Sequence, residues 1–84
     1  MQFGKSIAIL VQKESWWDQN VPVFRAVATC ALNNSRYEIP WDENLSHDEN
    51  FDKAAAACIK YNCFNKTGWT TCRMGGIRAY TLSL

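Results

Sequence analysis

The sequence predicts one small α+β domain, in which an antiparallel sheet of four or five strands carries one helix on one face in the order ββ(β)αββ. Three patterns predict this fold: alternating apolar residues early in the chain, a capped alanine-rich segment in the middle, and two strand-like segments around Gly75-Gly76. Eighty-four residues suffice for one core, so we expect residues 1–84 to form a single compact domain.

The first two strands are predicted from composition and parity. Residues 6–13 are rich in Ile, Leu and Val, which favours a strand, whereas the polar and aromatic residues 14–20 predict a loop. Beyond that loop, alternate positions are apolar, as expected of a strand with one dry face. The positions that share this parity are Phe24, Ala26, Ala28, Cys30 and Leu32.

A short third strand and a turn are predicted next. Asn33-Asn34-Ser35 is a cluster of turn residues, and residues 36–39 have strand-like composition. Pro40 cannot donate a hydrogen bond to a neighbouring strand, so it should stop this strand. We therefore place the strand at an edge of the sheet.

The middle of the chain predicts a helix with a defined start. Ser46 followed three residues later by Glu49 matches a capping box. The negative charge of Asp48 interacts favourably with the positive pole of the helix dipole. Small and apolar residues then recur at spacings of three and four, which puts them on one face of the helix. They are Phe51, Ala54, Ala55, Cys58, Ile59 and Asn62.

The end of the chain predicts a hairpin. Residues 69–74 and 77–84 are strand-like, and Gly75-Gly76 between them suits a two-residue turn that needs positive φ. Tyr80, Leu82 and Leu84 share one parity, so we expect them in the core.

Charge is balanced overall but divided along the chain. A net charge of +1 argues against a general nucleic-acid binder and against a polyanionic DNA mimic. Residues 41–52 contain five acidic residues and no basic one, whereas residues 53–84 contain five basic residues and no acidic one. We therefore expect two oppositely charged surfaces.

The sequence predicts a cytoplasmic protein without a membrane partner. No secretory signal is visible, and the apolar run at residues 7–11 is too short for a membrane span. The four cysteines (Cys30, Cys58, Cys63 and Cys72) are then expected as reduced thiols that serve as small buried hydrophobic residues.

Neither a metal site nor a catalytic site is predicted, and we expect no cofactor. The cysteine spacings lack the short C-x2-C pair of zinc sites. The alternating oxygen ligands from Asp42 to Asp48 resemble a calcium loop, but His47 replaces its turn glycine and Lys53 its bidentate glutamate. No activation motif flanks a cysteine, so we expect a protein that is not an enzyme. A cysteine nucleophile paired with His47 remains an alternative, because such partners meet only in the fold.

Candidate partner-binding residues fall into three groups. Trp16-Trp17 lies in the predicted loop, either as a lid over the core or as an anchor for a partner, and Trp41 is similarly ambiguous. A candidate acidic patch contains Asp42, Glu43, Asp48, Glu49 and Asp52. A candidate basic patch contains Lys66, Arg73 and Arg78. It either binds an acidic protein surface or is simply solvated, and nucleic acid is the alternative target.

The capped, alanine-rich helix at residues 46–58 and the hairpin at residues 68–82 resemble those of small phage-encoded anti-CRISPR and host-takeover proteins. The resemblance implies a stoichiometric, non-enzymatic inhibitor in the cytoplasm of an infected bacterium. Independently of the resemblance, we expect a monomer or a small homo-oligomer. The partner of such an inhibitor would be a CRISPR effector (Cas) subunit, and docking there would block target-DNA binding or nuclease recruitment. The acidic patch would then occupy a Lys- and Arg-lined channel, or the basic patch would grip an acidic face.

Overall fold

The computed structural model describes residues 6–62, 64 and 69–83. It confirms the predicted α+β class, with the helix between the third and fourth strands of one sheet. The elements are β1 (Ser6–Asp18), β2 (Val21–Cys30), β3 (Arg36–Pro40), α1 (His47–Tyr61), β4 (Trp69–Met74) and β5 (Ile77–Ser83).

The five strands are antiparallel and lie in the order β3-β2-β1-β5-β4, so β1 is the central strand. The predicted edge position of β3 is confirmed. Pro40 is the last residue of β3, and an edge strand tolerates a residue that cannot donate.

The prediction of a loop at residues 14–20 is wrong, because β1 continues to Asp18 and the turn consists of Gln19 and Asn20 alone. Both turn residues have positive φ, 49° and 67°, as the type I′ turn of a tight hairpin requires. Trp16 and Trp17 pair with Val23 and Pro22 across the strands. The sequence did not show this strand because neither of its faces is dry.

Helix α1 begins as predicted. The Ser46 Oγ accepts a hydrogen bond from the Glu49 backbone N–H at 3.1 Å, which confirms Ser46 as the N-cap and contributes about 1 kcal/mol. At the other end, Asn62 caps the helix, and its amide group bonds to Asn33, to Ser35 and to the Tyr37 hydroxyl. Side chains therefore cap both ends of the helix, and the hydrogen bonds of Asn62 connect the C-terminal end to the turn between β2 and β3.

The core lies between α1 and one face of the sheet. Ala26, Ala28 and Cys30 of β2 are buried as predicted, as are Tyr80, Leu82 and the predicted face of the helix up to Ile59. Phe24 was also predicted in the core, but it is 37% exposed because β2 extends there beyond its pairing with β3. Asn62 is half-buried, and Leu84 lies outside the described residues. Leu32 was expected in the core, but it follows the end of β2 and is 65% exposed. The core residues are Ile7, Ile9, Val11, Ala26, Ala28, Cys30, Phe51, Ala54, Ala55, Cys58, Ile59, Tyr80 and Leu82.

The cysteines meet only part of the expectation. Cys30 and Cys58 are buried free thiols, but Cys72 is an exposed free thiol on the edge strand β4. Its parity in β4 is opposite to that of Trp69, which packs toward the core, so its side chain lies on the sheet face away from the helix. Cys63 lies outside the described residues.

The sheet face away from α1 carries an ion-pair network. Arg25 pairs with Glu38 at 2.9 Å, and Arg36 pairs with Glu14 at 2.8 Å and with Glu38 at 2.9 Å. Hydrogen bonding from Arg36, supported by Arg25, lowers the pKa of Glu38. Val27 is the cross-strand neighbour of Glu38 and is 1% exposed, so an apolar side chain is buried on this sheet face as well.

The hairpin of β4 and β5 is confirmed, with Gly75 at a φ of 61° in its turn. Trp69 packs edge-on against Tyr80 with their ring centroids 4.7 Å apart. Arg73 and Arg78 are cross-strand partners, as predicted from the turn position. In the described part of the chain, no helix has the length and apolar character that crossing a membrane requires.

Candidate partner-binding site

A two-stranded arm projects from the sheet. Pairing of β2 with β3 ends at Arg25 and Pro40, and pairing of β1 with β5 ends at Gln12 and Ile77. Beyond the cross-strand pair of Glu14 and Arg25, residues 15–24 form a ribbon whose outer edges pair with none of the described strands, and we call this ribbon the arm. Four cross-strand pairs extend it by roughly 13 Å. The molecule measures 56 × 21 × 20 Å.

The two tryptophans of the arm lie on opposite faces. Trp16 is half-buried, and the Arg25 guanidinium lies 4.7 Å from its ring centroid. Trp17 is on the helix side of the ribbon and is 78% exposed. Trp16 therefore serves the packing of the arm, whereas the surface of Trp17 is available to a partner.

Trp41 joins the base of the arm to the core. Its backbone N–H donates to the Phe24 carbonyl at 3.1 Å, and its ring packs edge-on against Phe51 and His47 at centroid distances of 5.7 and 5.0 Å. The Lys13 ammonium lies 4.4 Å from the ring centroid of Phe24 and 4.3 Å from that of Trp41. These contacts hold the base of the arm in one orientation.

Apolar side chains lie along the helix side of the arm, with the Lys13 ammonium over the rings nearest its base. Cross-strand register puts Trp17 beside Pro22, and Phe24 follows two positions later toward Trp41. We call these four residues the arm face. An open groove of about 590 Å³ continues from Trp41 between the end of β3, the loop at residues 41–44 and Lys53 of the helix.

The predicted acidic and basic patches do not form two separate surfaces. Asp48 pairs with Arg73 and, at 3.0 Å, with Arg78, while the Arg78 Nε lies 3.8 Å from Asp52. Antiparallel pairing puts both arginines side by side on the helix side of the sheet, where they meet the first turns of α1. The expectation of two electrical ends is therefore wrong for these four residues.

Tyr80 extends this ion-pair cluster into the core. Its hydroxyl donates to Asp52, and its ring is fully buried. Burial, reinforced by Asp52, raises the pKa of Tyr80 well above the ordinary value for a phenol. The cluster thus links the helix to β5 through a neutral phenol and charged arginines.

The remaining predicted site residues lie around the groove or outside the described chain. Asp42 accepts a hydrogen bond from the Asn44 N–H at 2.9 Å and so shapes the loop before the helix. Glu43 and Glu49 are exposed. Lys66 lies outside the described residues.

The Cys58 thiol and His47, both considered as catalytic groups, are packed among other side chains. Burial, followed by the neighbouring Cys30, raises the pKa of the Cys58 thiol from 9.0 to about 11, which disfavours the reactive thiolate at neutral pH. His47 packs against Trp41 and Phe51. Among the residues that the structure describes, no group of three His, Cys, Asp or Glu side chains is placed to hold a metal ion.

Sequence reasoning missed three residues of this site. Lys13, Pro22 and Phe24 belong to the arm or its base, and only Phe24 had been singled out, as a core position. The signal that identifies them is the turn residue Asn20, because a two-residue turn there continues the parity of β2 through Pro22 and pairs it with Trp17.

Comparison of the chain with protein-family models, with curated proteins and with solved structures found no match. The arm, its base and the charges around them are consequently the features from which a function can be inferred.

Proposed function

We propose that this chain is a non-enzymatic inhibitor that binds a CRISPR effector (Cas) subunit through the arm and blocks target-DNA binding or nuclease recruitment. The observation that carries the proposal is the position of Trp17 near the end of a projecting ribbon, with 78% of its surface exposed. An indole in that position adds little to folding, whereas tryptophan is enriched among the residues that dominate protein interfaces.

The arm is also preorganised for binding. Cross-strand pairing, the tight Gln19-Asn20 turn and the contact of Arg25 with Trp16 order it before any partner arrives. A ribbon that is already ordered loses less conformational freedom on association than a mobile loop does. A narrow projection also suits a concave target, into which the 21 × 20 Å cross-section of the whole molecule fits less easily.

The target class comes from the resemblance of the capped helix and the following hairpin to small phage-encoded anti-CRISPR proteins. Such an inhibitor acts by occupying a surface, so it needs a strong anchor rather than a catalytic group. Trp17 supplies an anchor of that kind, and Phe24 and Trp41 extend the apolar contact toward the body of the domain.

The test is restoration of phage plaques on bacteria whose CRISPR system targets that phage. Expression of the chain should restore plaques, and Trp17→Ala should abolish the effect and weaken binding to the purified effector by about 2 kcal/mol, roughly thirtyfold. Leu32→Ala is the matched control, because Leu32 is 65% exposed but lies outside the arm. Inhibition that survives Trp17→Ala in a folded variant, or no inhibition by the parent chain, would overturn the proposal.

The alternative function, nucleic-acid binding by the last hairpin, has weaker support. Arg73 and Arg78 already have carboxylate partners in Asp48 and Asp52, so phosphate would have to compete with them. Binding of DNA or RNA that falls steeply with salt would favour this alternative instead.

A further inference from the structure

Ion pairing inside the molecule uses every arginine of the sequence. Arg25 and Arg36 pair with carboxylates on the sheet face away from the helix, and Arg73 and Arg78 pair with those of the first helical turns. Their partners are Glu14, Glu38, Asp48 and Asp52.

Four carboxylates have no cationic partner among the described residues: Asp18, Asp42, Glu43 and Glu49. Asp18 lies at the tip of the arm, and the other three lie in the loop beside the groove or in the first turn of α1. Among the described residues, the cations near the arm face are fewer than these carboxylates. Lys13 is held between two aromatic rings, and Lys53 lines the groove. Within the part of the chain that the structure describes, carboxylates therefore outnumber cations around the arm face and the groove, although the net charge of the chain is +1.

We infer that the arm face and the adjoining groove bind a protein surface that presents lysine or arginine beside an apolar side chain. The inference rests on the proposed function, because it takes the arm as the binding element. The apolar side chain would cover Trp17 and Phe24, and the cations would face Asp18 at one end and Glu43 at the other. Complementary charge of this kind sets the orientation and speeds the encounter of two proteins.

Electrostatic repulsion disfavours two other occupants of this surface, a second copy of the chain and nucleic acid. A second copy of the chain meeting the first through the same face would bring like carboxylates together, and nucleic acid would bring phosphates to them. A basic protein surface presents opposite charge to these carboxylates, although it must also approach the ammonium groups of Lys13 and Lys53. The exposed Trp17 ring adds to the fit, because an indole face attracts a guanidinium or ammonium group.

The experiment is an NMR titration of the full 84-residue chain with two short peptides, (Arg-Leu)4 and (Glu-Leu)4. The indole N–H signals of the tryptophans report on separate sites. We expect (Arg-Leu)4 to shift the signals of Trp17 and Trp41, whereas that of Trp16, on the opposite face of the arm, should stay. We expect (Glu-Leu)4 to shift none of them, and the affinity for (Arg-Leu)4 to fall as salt is added.

Variants test the location of the charge. Asp18→Asn combined with Glu43→Gln should weaken binding of (Arg-Leu)4 about tenfold. Ala56→Lys combined with Thr81→Lys is the matched control, because both positions are exposed, lie outside the arm and groove, and change the net charge of the chain by the same amount. This control should weaken binding by less than about twofold.

Three results would overturn the inference: equal binding of the two peptides, no shift of the Trp17 signal, or shifts that depend on protein concentration without peptide, which would assign the face to a second copy. The experiments distinguish a failure of this inference from a failure of the proposed function. If Trp17→Ala abolishes inhibition but Asp18→Asn with Glu43→Gln binds (Arg-Leu)4 normally, the function stands and the basic partner does not. If the peptides behave as expected but Trp17→Ala still inhibits, the basic-binding surface stands and the inhibitor mechanism through Trp17 does not.

Discussion

Asn50 is fully buried in the first half of α1, and its amide group organises the loop that precedes the helix. Its Oδ1 accepts from the Asp42 N–H at 2.8 Å, and its Nδ2 donates to the carbonyls of Asp42 and Ser46, each at 3.0 Å. A third carbonyl, that of Leu45, lies 3.4 Å from Nδ2. Asn50 therefore shapes the loop in which Asp42 and Glu43 border the groove.

We expect Asn50→Ala to lower the free energy of unfolding by about 2 kcal/mol, because it leaves the Asp42 N–H and the Leu45 carbonyl without their partner. The carbonyls of Asp42 and Ser46 lose one donor each but keep a backbone N–H. Urea denaturation followed by circular dichroism measures the loss. Asn44→Ala is the matched control, since Asn44 is exposed in the same loop and should cost less than about 0.5 kcal/mol. Similar losses in the two variants would contradict this role of Asn50.

The Cys58 thiol couples stability to alkaline pH. Its pKa is raised from 9.0 to about 11, chiefly by burial and then by the neighbouring Cys30. Because the folded protein holds this proton more tightly than the unfolded chain, the stabilising contribution is complete below pH 9 and is lost as pH rises through 11. We expect the free energy of unfolding to decline over this interval and to decline less in Cys58→Ala. The exposed Cys72 supplies the control, and a slope unchanged in Cys58→Ala but reduced in Cys72→Ala would contradict the assignment.

The arm differs from the other elements because it contributes no residue to the core. All of the described core residues lie outside residues 15–24. Its stability comes from cross-strand pairing, from the turn and from the contacts of Arg25 and Lys13 with aromatic rings. Such an element can be removed without opening the interior of the domain.

We therefore expect the domain to fold without the arm. Replacing residues 15–24 by Asn-Gly keeps the cross-strand pair Glu14 and Arg25 and closes it with a favourable two-residue turn. The shortened chain should retain its helical circular dichroism signal, unfold cooperatively, lose less than about 2 kcal/mol of stability and no longer bind the effector. The control is the full-length chain with the turn alone changed, Gln19→Asn with Asn20→Gly, which should bind normally. If the shortened chain does not fold, the arm is needed for folding and the expectation is wrong. If it folds and still inhibits, the arm is not the binding element.

Across the whole molecule, charge is arranged by folding rather than by chain order. The acidic residues 41–52 and the basic residues that follow suggested two oppositely charged surfaces, yet Asp48 and Asp52 lie against Arg73 and Arg78. The pair of Asp48 with the exposed Arg73 contributes little to stability, and Arg78 is more buried, but together these pairs strongly affect the surface potential. They neutralise one side of the molecule and leave the acidic excess beside the arm.

Local patterns in the sequence determined the α+β class, the start and buried face of α1, the Gly75-Gly76 hairpin and the core positions of Tyr80 and Leu82. Capping, helical spacing, turn residues and parity act between neighbours in the chain, so they can be read without a structure. Three features were decided only by the tertiary structure: the strand order β3-β2-β1-β5-β4, the extension of β1 into the arm, and the pairing of the arginines with helix carboxylates. These depend on contacts between segments far apart in the sequence, and local patterns do not determine which distant segments pair. The opposite orientations of Trp16 and Trp17, and with them the candidate site, follow from that pairing.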